Sequence, residues 1–462
     1  MLPTLSRREV LKTTSCGFGY LALAGLFGQQ AKASSDHPLA PKKPHFEPRA
    51  KRVIFMFMQG GPSHVDTFDH KPALARDDGK SPGGEVPGGK RGNRKLLKSP
   101  FKFSPAGQSG LMISELFPKL SVHADELCLL NSMVTDLPNH PQAAVQLHTG
   151  SFQFIRPSMG AWVVYGLGTE NQELPGFITI NPITRVGGAV NFGSSFLPAP
   201  YQGTPIGGEG QDLSRAAIPN IANRELTKDQ QRKQLDLLQA INRDRLAQDK
   251  VNSELEGVIE SYELAFRMQT AVPKVMDFRD ESAETLAKYG IGQGPASNFG
   301  RQCLLARRFA EAGVRFIELG HAGWDQHQQL RNRLTANCTA IDQPIAALLA
   351  DLKQRDMLKD TLVVWGGEFG RTPHAQNADG RDHNAAGYSM WLAGGGVKGG
   401  QRYGATDEHG IRSVENKFHI HDLHATILHL LGLDHERLTY RYSGRDFRLT
   451  DVHGNVAKDI LA

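Results

Sequence analysis

The chain has 462 residues, of which 39% are hydrophobic and 22% are charged, and its formal net charge is +5. This length and apolar content suffice for a large buried core, and the composition excludes a coiled coil, a collagen and a wholly disordered chain. Glycine and proline are frequent, with 49 and 25 copies, which indicates many loops. The positive charge is a weak indication of an anionic partner, and its meaning depends on where the charges lie.

The N-terminal residues have the pattern of an export signal. Arg7 and Arg8 precede an apolar run over 19–27, and Ala31-Lys32-Ala33 supplies the small residues of a cleavage site. Residues 1–33 therefore resemble a secretory signal of the twin-arginine type. A membrane anchor is the alternative, but the run is shorter than the ~20 apolar residues that a spanning helix needs. We expect export to the periplasm or cell envelope, with no stable membrane span after cleavage.

Removal of this signal changes both the charge and the cysteine count. It takes away four basic residues and one acidic residue, so the formal net charge falls from +5 to +2. Nucleic-acid binding loses its main support, because it needs clustered basic residues. Three cysteines remain (Cys128, Cys303 and Cys338) without a C-x-x-C pair. This odd number predicts neither a disulfide scaffold nor a cysteine-rich zinc site.

Buried strands alternate with helices along the rest of the chain. After a Pro- and Lys-rich linker over 34–50, the apolar run 52–58 ends at a glycine pair, which is typical of a strand covered on both faces. The same reasoning predicts further strands over 127–134, 176–181, 314–319, 361–365 and 388–393. It also predicts an amphipathic helix over 340–355 and a helical insertion over 225–290. Together these elements predict an α/β three-layer sandwich with a mostly parallel central sheet, in one domain over 51–462.

Side chains of the types that bind metals follow the predicted strands in five clusters. The clusters are Ser63, His64, Asp66, Asp69 and His70; His321, Trp324, Asp325 and His327; Glu368 and Arg371; Arg381, Asp382, His383 and Asn384; and His419, His421, Asp422 and His424. One such cluster is most often solvated or caps a helix, and Asp422 fits an N-cap. Repetition at the carboxyl ends of strands, where loops converge, favours a shared metal site.

Mixed histidine and carboxylate ligands suit zinc, manganese or iron. Two such ions about 3.5–4 Å apart would hold both the attacking and the leaving oxygen of an ester. Arg371 and Arg381 lie beside the clusters in the sequence. An arginine there binds a phosphate or sulfate through two hydrogen bonds, and an ordinary ion pair is the alternative for either one.

Several segments resemble the alkaline phosphatase and sulfatase superfamily. Residues 341–370 (IDQPIAALLADLKQRDMLKDTLVVWGGEFG) resemble the helix and strand before a sulfatase metal motif, with Glu368 at the place of its aspartate and Phe369 at that of its histidine. Residues 391–400 and 421–433 resemble the following glycine turn and the closing helix. The motifs GWDQH, GGEFGRTP and GRDHN and the paired arginines resemble an uncharacterised branch, the domain-of-unknown-function family fifteen-oh-one. The resemblance implies an alkaline phosphatase-like fold.

The chain departs from sulfatases at the catalytic positions. Gln59 and Gly60 stand where sulfatases have paired aspartates, so His64 or Asp66 would substitute for them. His140 falls at the place of the sulfatase nucleophile, and the activating arginine is missing. His140 is then a nucleophile, or a metal ligand or general acid without a covalent step, or part of an inactive site. We prefer the second interpretation.

The main hypothesis is an exported, metal-dependent hydrolase of a phosphate or sulfate ester, acting on an anionic small molecule or glycan. His140 would act at the nucleophile place and Arg371 would bind the anionic group. The ligands of the divalent ions, zinc or manganese by their type, would be His64, Asp66, Asp325, His327, Glu368, Asp382 and His383. A catalytically inactive module that binds an anionic glycan or an envelope protein is the alternative. A structural envelope protein with solvated histidines is the third interpretation.

Overall fold

The computed structural model describes residues 38–82, 94–215, 221, 225–249, 253–292 and 294–462. The predicted signal over 1–33 and the start of the predicted linker over 34–50 lie outside these residues. From residue 38 onwards the linker segment forms no helix or strand, but it packs against the domain. Leu39 is fully buried, and the backbone N–H groups of Lys42 and Arg49 donate to carbonyls of the domain at 2.8 Å.

The fold is built from seventeen strands in the described residues. They are β1 (Arg52–Met58), β2 (Phe103–Ala106), β3 (Leu111–Ser114), β4 (Leu127–Val134), β5 (Phe177–Ile180), β6 (Thr204–Ile206), β7 (Phe316–His321), β8 (Thr361–Gly366), β9 (Gly370–Gln376), β10 (Gly380–Asn384), β11 (Tyr388–Ala393), β12 (Gln401–Tyr403), β13 (Ala405–Thr406), β14 (Ser413–Glu415), β15 (Phe418–His419), β16 (Tyr440–Tyr442) and β17 (Arg445–Phe447).

Nine of these strands form the central sheet, in the order β12–β4–β11–β8–β1–β7–β5–β6, with β15 as a further partner of β4. β1 pairs in parallel with β7 and β8, whereas β11 runs antiparallel to β4 and β8. Every residue of β1, β4, β8 and β11 is buried. Because successive side chains of a strand point to opposite faces, the sheet is covered on both sides. The predicted α/β sandwich with a mostly parallel sheet is confirmed.

The apolar runs predicted the central strands closely. The bounds expected for β1, β4 and β11 match the structure, and β8 extends one residue beyond the expected 361–365. β7 begins and ends two residues after the expected 314–319, and β5 is shorter by one residue at each end than 176–181. A run that is apolar on both faces has a strong local signal, which explains this agreement.

The helices surround the sheet. They are α1 (His64–Thr67), α2 (Pro72–Arg76), α3 (His140–Thr149), α4 (Met159–Leu167), α5 (Lys228–Asp249), α6 (Ser253–Met276), α7 (Ala283–Lys288), α8 (Ala296–Glu311), α9 (Leu330–Gln354) and α10 (Ile420–Leu430). Short 3₁₀ helices are Leu120–Glu126, Gly188–Phe192, Ala199–Tyr201, Leu213–Arg215, Leu358–Asp360 and Lys458–Ile460. No helix within the described part of the chain has both the length and the apolar character needed to cross a membrane.

Of the two helical predictions, one is confirmed and the other placed the start of its helix too late. The segment 225–290 contains α5, α6 and α7, so its helical character is confirmed. α9 begins at Leu330, ten residues before the expected 340–355. Its first turns are polar, yet Leu330, Leu334 and Cys338 are buried at a helical spacing. This narrow apolar stripe continues into the part of the helix that the sequence predicted.

Candidate metal centre

Three adjacent parallel strands end at one edge of the sheet and lead into the candidate site. Met58 of β1 lies beside His321 of β7, and Phe57 lies beside Gly366 of β8. The segments that follow carry Asp325 after β7 and Glu368 after β8. Ligands of open α/β sheets bind at this carboxyl edge, so the topology itself brings these side chains together.

Gly60 packs the turn after β1 tightly against the other two segments. Its φ of +117° favours glycine, and a Cβ atom there would lie 2.4 Å from the backbone nitrogen of Asp325. Its N–H donates to both carboxylate oxygens of Glu368, at 3.0 and 3.2 Å. The absence of a side chain at Gly60 therefore lets the segments that carry Asp325 and Glu368 approach each other.

Four side chains converge at this edge. His140 is the first residue of α3, His327 follows β7, and His383 lies in β10, which pairs with β9. Together with Asp325 they place one potential ligand atom each within 4.8 Å of the others. The Nε2 atoms of His140, His327 and His383 lie 3.1, 2.9 and 3.3 Å from Oδ1 of Asp325. This His/Asp cluster could hold a metal ion.

The second nitrogen of each imidazole faces an acceptor of its own. Nδ1 of His140 donates to Oε1 of Glu368 at 2.5 Å, and Nδ1 of His383 donates to the carbonyl of Pro138 at 2.8 Å. Nδ1 of His327 donates to Oε1 of Gln376. Outer acceptors of this kind fix the tautomer of metal-binding histidines and leave the lone pair on Nε2.

Each of the three imidazoles therefore faces acceptors on both sides. Two states satisfy this arrangement: a protonated imidazolium, or a neutral ring with a cation at Nε2. The chemistry of the donor set fits a divalent cation, since three neutral imidazoles and one carboxylate suit zinc, manganese or iron.

The pKa shifts of the cluster agree with this geometry. Burial works against the charged forms, but the hydrogen bonds with Asp325 and Glu368 outweigh it and raise the pKa of His140 above 6.5. The hydrogen bond with Asp325 likewise raises the pKa of His327, against its partial burial. Burial alone would raise the pKa of Asp325, yet hydrogen bonds from His140, His327 and His383 hold it far below its usual value.

Arg371 supports the cluster from inside the protein. Its guanidinium is fully buried and donates through Nη2 to Oδ1 of Asp325 at 2.6 Å. It also donates to the carbonyls of Gly60, Gly61 and Arg381, the last two at 3.0 and 3.3 Å. Burial lowers the pKa of Arg371. These contacts orient Asp325 and tie it to the turn after β1.

The other predicted ligands lie elsewhere. Nε2 of His64 lies 2.9 Å from the carbonyl of Gly410. Asp66 is fully buried in an ion pair with Arg381, at 2.6 and 3.1 Å. Asp382 accepts from the backbone N–H of His383 at 2.9 Å, and its carboxylate lies 3.5 Å from Arg94.

Glu368 contacts the cluster through His140 rather than through Asp325. Among the residues that the structure describes, the His140, Asp325, His327 and His383 cluster is the one group of three or more such side chains with this spacing.

The C-terminal cluster lies along α3 and not at the His/Asp cluster. Nε2 of His421 lies 2.9 Å from the carbonyl of Gly150, and Nε2 of His424 lies 2.7 Å from that of Leu147. Asp422 accepts from the backbone N–H of His419 at 2.9 Å and completes a capping box at the start of α10. The helix-capping interpretation of Asp422 therefore holds.

Sequence reasoning missed two outer acceptors. The carbonyl of Pro138 contacts His383 through the backbone, so no side-chain pattern could reveal it. Gln376 lies opposite Gly380 in the β9–β10 hairpin. The short turn between GRTPHAQ and GRDHN is the signal that could have placed Gln376 near the histidines.

The centre opens to solvent on one side. The side chain of Asp325 is 40% exposed and that of His327 is 31% exposed, whereas His140 and His383 are 14% and 19% exposed. A small molecule can therefore reach the ligand atoms from the side of Asp325 and His327.

A family described as Protein of unknown function (DUF1501) matches residues 50–461. The chain belongs to this family. The match confirms the membership that the motifs GWDQH, GGEFGRTP and GRDHN predicted. It covers nearly all of the described residues and so includes every member of the cluster. No curated protein is similar enough to this DUF1501 chain to match it.

Solved structures similar to this DUF1501 protein include enzymes of the expected superfamily. The lipoteichoic acid synthase LtaP from Listeria monocytogenes is 9% identical, with 89% of this chain and 78% of that chain covered and a TM-score of 0.38. The PsFucS1 sulfatase from Pseudoalteromonas sp. is 13% identical over 90% and 71%, with a TM-score of 0.36. The alkaline phosphatase from the Antarctic bacterium TAB5 is 11% identical over 84% and 99%, with a TM-score of 0.35. At TM-scores this low, the likeness carries no chemistry over to this chain.

Proposed function

We propose that the protein is a divalent-metal-dependent hydrolase of a phosphate or sulfate ester. The observation that carries the proposal is the convergence of the Nε2 atoms of His140, His327 and His383 on Asp325, with every Nδ1 held by an acceptor. These four side chains would hold the ion. A bound divalent cation supplies Lewis-acid polarisation of an ester oxygen.

The surrounding charges favour an anionic substrate. Asp325 and Glu368 each contribute one negative charge, and Arg371 contributes one positive charge. A divalent cation among them would leave the centre with a net positive charge. The solvent-exposed side of Asp325 and His327 is where a phosphate or sulfate group would enter.

The contacts of His140 support a role as a ligand rather than as a covalent nucleophile. Both of its nitrogens are engaged, Nδ1 with Glu368 and Nε2 toward Asp325. The side-chain partners of the four ligands are Glu368, Gln376 and Arg371, none of which is a hydroxyl or a thiol. We therefore propose that water attacks the ester, without a covalent enzyme intermediate.

The cysteines do not offer an alternative nucleophile. Cys128, Cys303 and Cys338 are buried, and burial raises the pKa of each thiol, to about 12 for Cys128. The reactive form of a cysteine is the thiolate, which these surroundings disfavour.

We further propose that the protein works in the periplasm or cell envelope after twin-arginine export. This part rests on the sequence of residues 1–33, in which paired arginines precede a short apolar run. Twin-arginine export carries folded proteins, which is compatible with loading of a metal before export.

Metal analysis of the full chain, purified without chelators, is the first test. We expect at least one zinc, manganese or iron ion per chain, and a loss of that ion in His383→Ala. His453→Ala is the matched control, because His453 is exposed and lies outside the cluster. Metal content well below one per chain in the unmodified protein would contradict the proposal.

A substrate panel is the second test. Aryl phosphates, phosphodiesters and aryl sulfates are incubated with the protein loaded with zinc or manganese. We expect turnover of at least one class, abolished in His383→Ala and kept in His453→Ala. Tight metal binding without turnover of any class would favour the alternative, a module that binds an anionic glycan or an envelope protein.

A further inference from the structure

Arg185 lies at the same edge of the sheet as the metal centre. It belongs to the loop after β5, and β5 pairs in parallel with β7 so that Ile180 lies beside Leu319. β7 leads directly to the segment that carries Asp325. The side chain of Arg185 is 63% exposed. The topology therefore brings an exposed guanidinium to the edge at which a substrate would enter.

A buried glutamine connects Arg185 to the centre. Nη2 of Arg185 donates to Oε1 of Gln59 at 2.9 Å, and Gln59 is 3% exposed. The carbonyl of Gln59 accepts from the backbone N–H of Trp324 at 3.1 Å, and Trp324 precedes Asp325. The next residue, Gly60, donates to Glu368. The backbone of the residue that holds Arg185 is thus fixed between the segments that carry Asp325 and Glu368.

Arg185 and Arg371 differ in the donors that they can offer. Arg371 is fully buried, and its nitrogens donate to Asp325 and to three backbone carbonyls. In Arg185 the hydrogen bond with Gln59 and the ion pair with Oε1 of Glu209, at 3.1 Å, both involve Nη2. Nε and Nη1 of Arg185 donate no hydrogen bond to a described residue. Of these two arginines, Arg185 is therefore the one with hydrogen-bond donors available for an anion.

We infer that Arg185 binds an anionic oxygen of the substrate through Nε and Nη1, while Gln59 and Glu209 hold Nη2. The fork of a guanidinium matches the oxygens of a phosphate or sulfate group. Glu209 orients the guanidinium, and its negative charge also competes with the bound anion. This inference rests on the proposed function and deepens it, because it assigns recognition of the anionic group to Arg185 instead of Arg371.

Calorimetric titration of the full chain, preincubated with zinc, tests this assignment with inorganic phosphate and separately with sulfate as probes. We expect Arg185→Ala to weaken binding of at least one probe by about tenfold, which is the effect of losing a charge-assisted hydrogen bond. Arg185→Lys keeps the positive charge but loses the forked guanidinium. We therefore expect its affinity for the anion to lie between those of the unmodified protein and Arg185→Ala. Arg441→Ala is the matched control, because Arg441 is 67% exposed and paired with Asp446.

Glu209→Gln is expected to change the affinity for the anion in the opposite direction to Arg185→Ala. It removes the competing charge and keeps a hydrogen-bond acceptor for Arg185. Because the Glu209 side chain is still 25% exposed, we expect the anion to bind more tightly by about threefold. A merely structural role of the Arg185–Glu209 pair would weaken binding in both variants. The assignment is overturned if Arg185→Ala binds within about twofold of the unmodified protein, or if Glu209→Gln binds the anion more weakly.

The zinc content of every sample separates this inference from the proposed function. If the unmodified protein holds well below one zinc per chain, the proposed function fails, and the titrations still show whether Arg185 binds the anion. If zinc is present in all variants and Arg185→Ala still binds the anion as tightly as the unmodified protein, the inference fails while the proposed metal site stands.

Discussion

Two carboxylates at the same sheet edge have contrasting surroundings. Asp325 is 40% exposed, and its Oδ1 lies within 3.3 Å of three imidazoles and of Arg371. Asp66 is fully buried, and both of its oxygens accept from Arg381. Asp66 also accepts from the hydroxyl of Ser63 at 2.5 Å.

The difference lies in the partners rather than in the carboxylates. A guanidinium stays charged, so the Asp66–Arg381 pair is complete without any ion. Imidazoles exchange a proton for a metal ion at near-neutral pH, so the surroundings of Asp325 can change. Both carboxylates follow strands and both looked like ligands in the sequence, but only Asp325 has neighbours that can become ligands with it.

The largest expected effect is on the stability that the Asp66–Arg381 ion pair contributes. Arg381→Met leaves Asp66 buried without its counter-charge, and we expect the free energy of unfolding to fall by about 3–5 kcal/mol. Urea denaturation measures this loss. Zinc content should be unchanged in the folded protein, because Arg381 contacts none of the four ligands through its side chain. Loss of zinc with little loss of stability would show that Asp66 belongs to the metal centre after all.

The next largest effect is on zinc binding by the His/Asp cluster. Asp325→Asn removes the negative charge of the proposed ligand but keeps an oxygen that accepts from Arg371, so the fold should survive. We expect zinc affinity to fall by more than about 100-fold, since outer-shell changes alone reach that size. Competition with a chromogenic chelator measures the affinity. An unchanged affinity would exclude Asp325 as a ligand.

A smaller effect is expected from Glu368→Gln. The amide still accepts from Gly60 but no longer offers a charged acceptor to Nδ1 of His140, so zinc affinity should fall by about 10–100-fold. Asp382→Asn is the control, because its carboxylate lies 3.5 Å from Arg94 and is not part of the cluster. Equal losses in the two variants would mean that the effect is a general one of charge.

The smallest effect is a pH dependence of opposite sign with and without zinc. The pKa values of His140 and His327 are raised above 6.5, so their stabilisation of the metal-free protein is present below 6.5 and is lost as the pH rises through the raised values. Asp325 stays ionised throughout this range. Asp325→Asn removes the partner that raises these pKa values. We therefore expect the stability difference between the metal-free unmodified protein and metal-free Asp325→Asn, measured by thermal denaturation, to be smaller at pH 8 than at pH 6.

Zinc binding should show the reverse trend, since protons and zinc compete for Nε2. The affinity of the protein for zinc should fall as the pH falls from 8 to 6. The fall should begin above pH 6.5, because the pKa values of His140 and His327 are raised above that value. An exchange of protons for zinc at these imidazoles would be contradicted if this stability contribution and the zinc affinity changed in the same direction with pH.

Local patterns were sufficient for the central strands and for part of the site. β1, β4 and β11 were bounded correctly because a strand covered on both faces is apolar at every position. Asp325, His327 and His383 were recognised as candidates because ligand-type residues follow or lie beside such strands, and His140 through the family resemblance. The polar first turns of α9 were missed because their apolar stripe is narrow.

The sequence by itself therefore determined the sheet, the family and a set of candidate ligands that is larger than the cluster that meets in the structure. Only the tertiary structure decided that His140, Asp325, His327 and His383 meet, that Asp66 is paired with Arg381, and that Arg371 faces inward. Strand formation depends on neighbours along the chain, whereas the partner of a buried charge depends on residues far apart in it. Asp66 and Arg381 are separated by 315 positions, and no local pattern reveals such a contact.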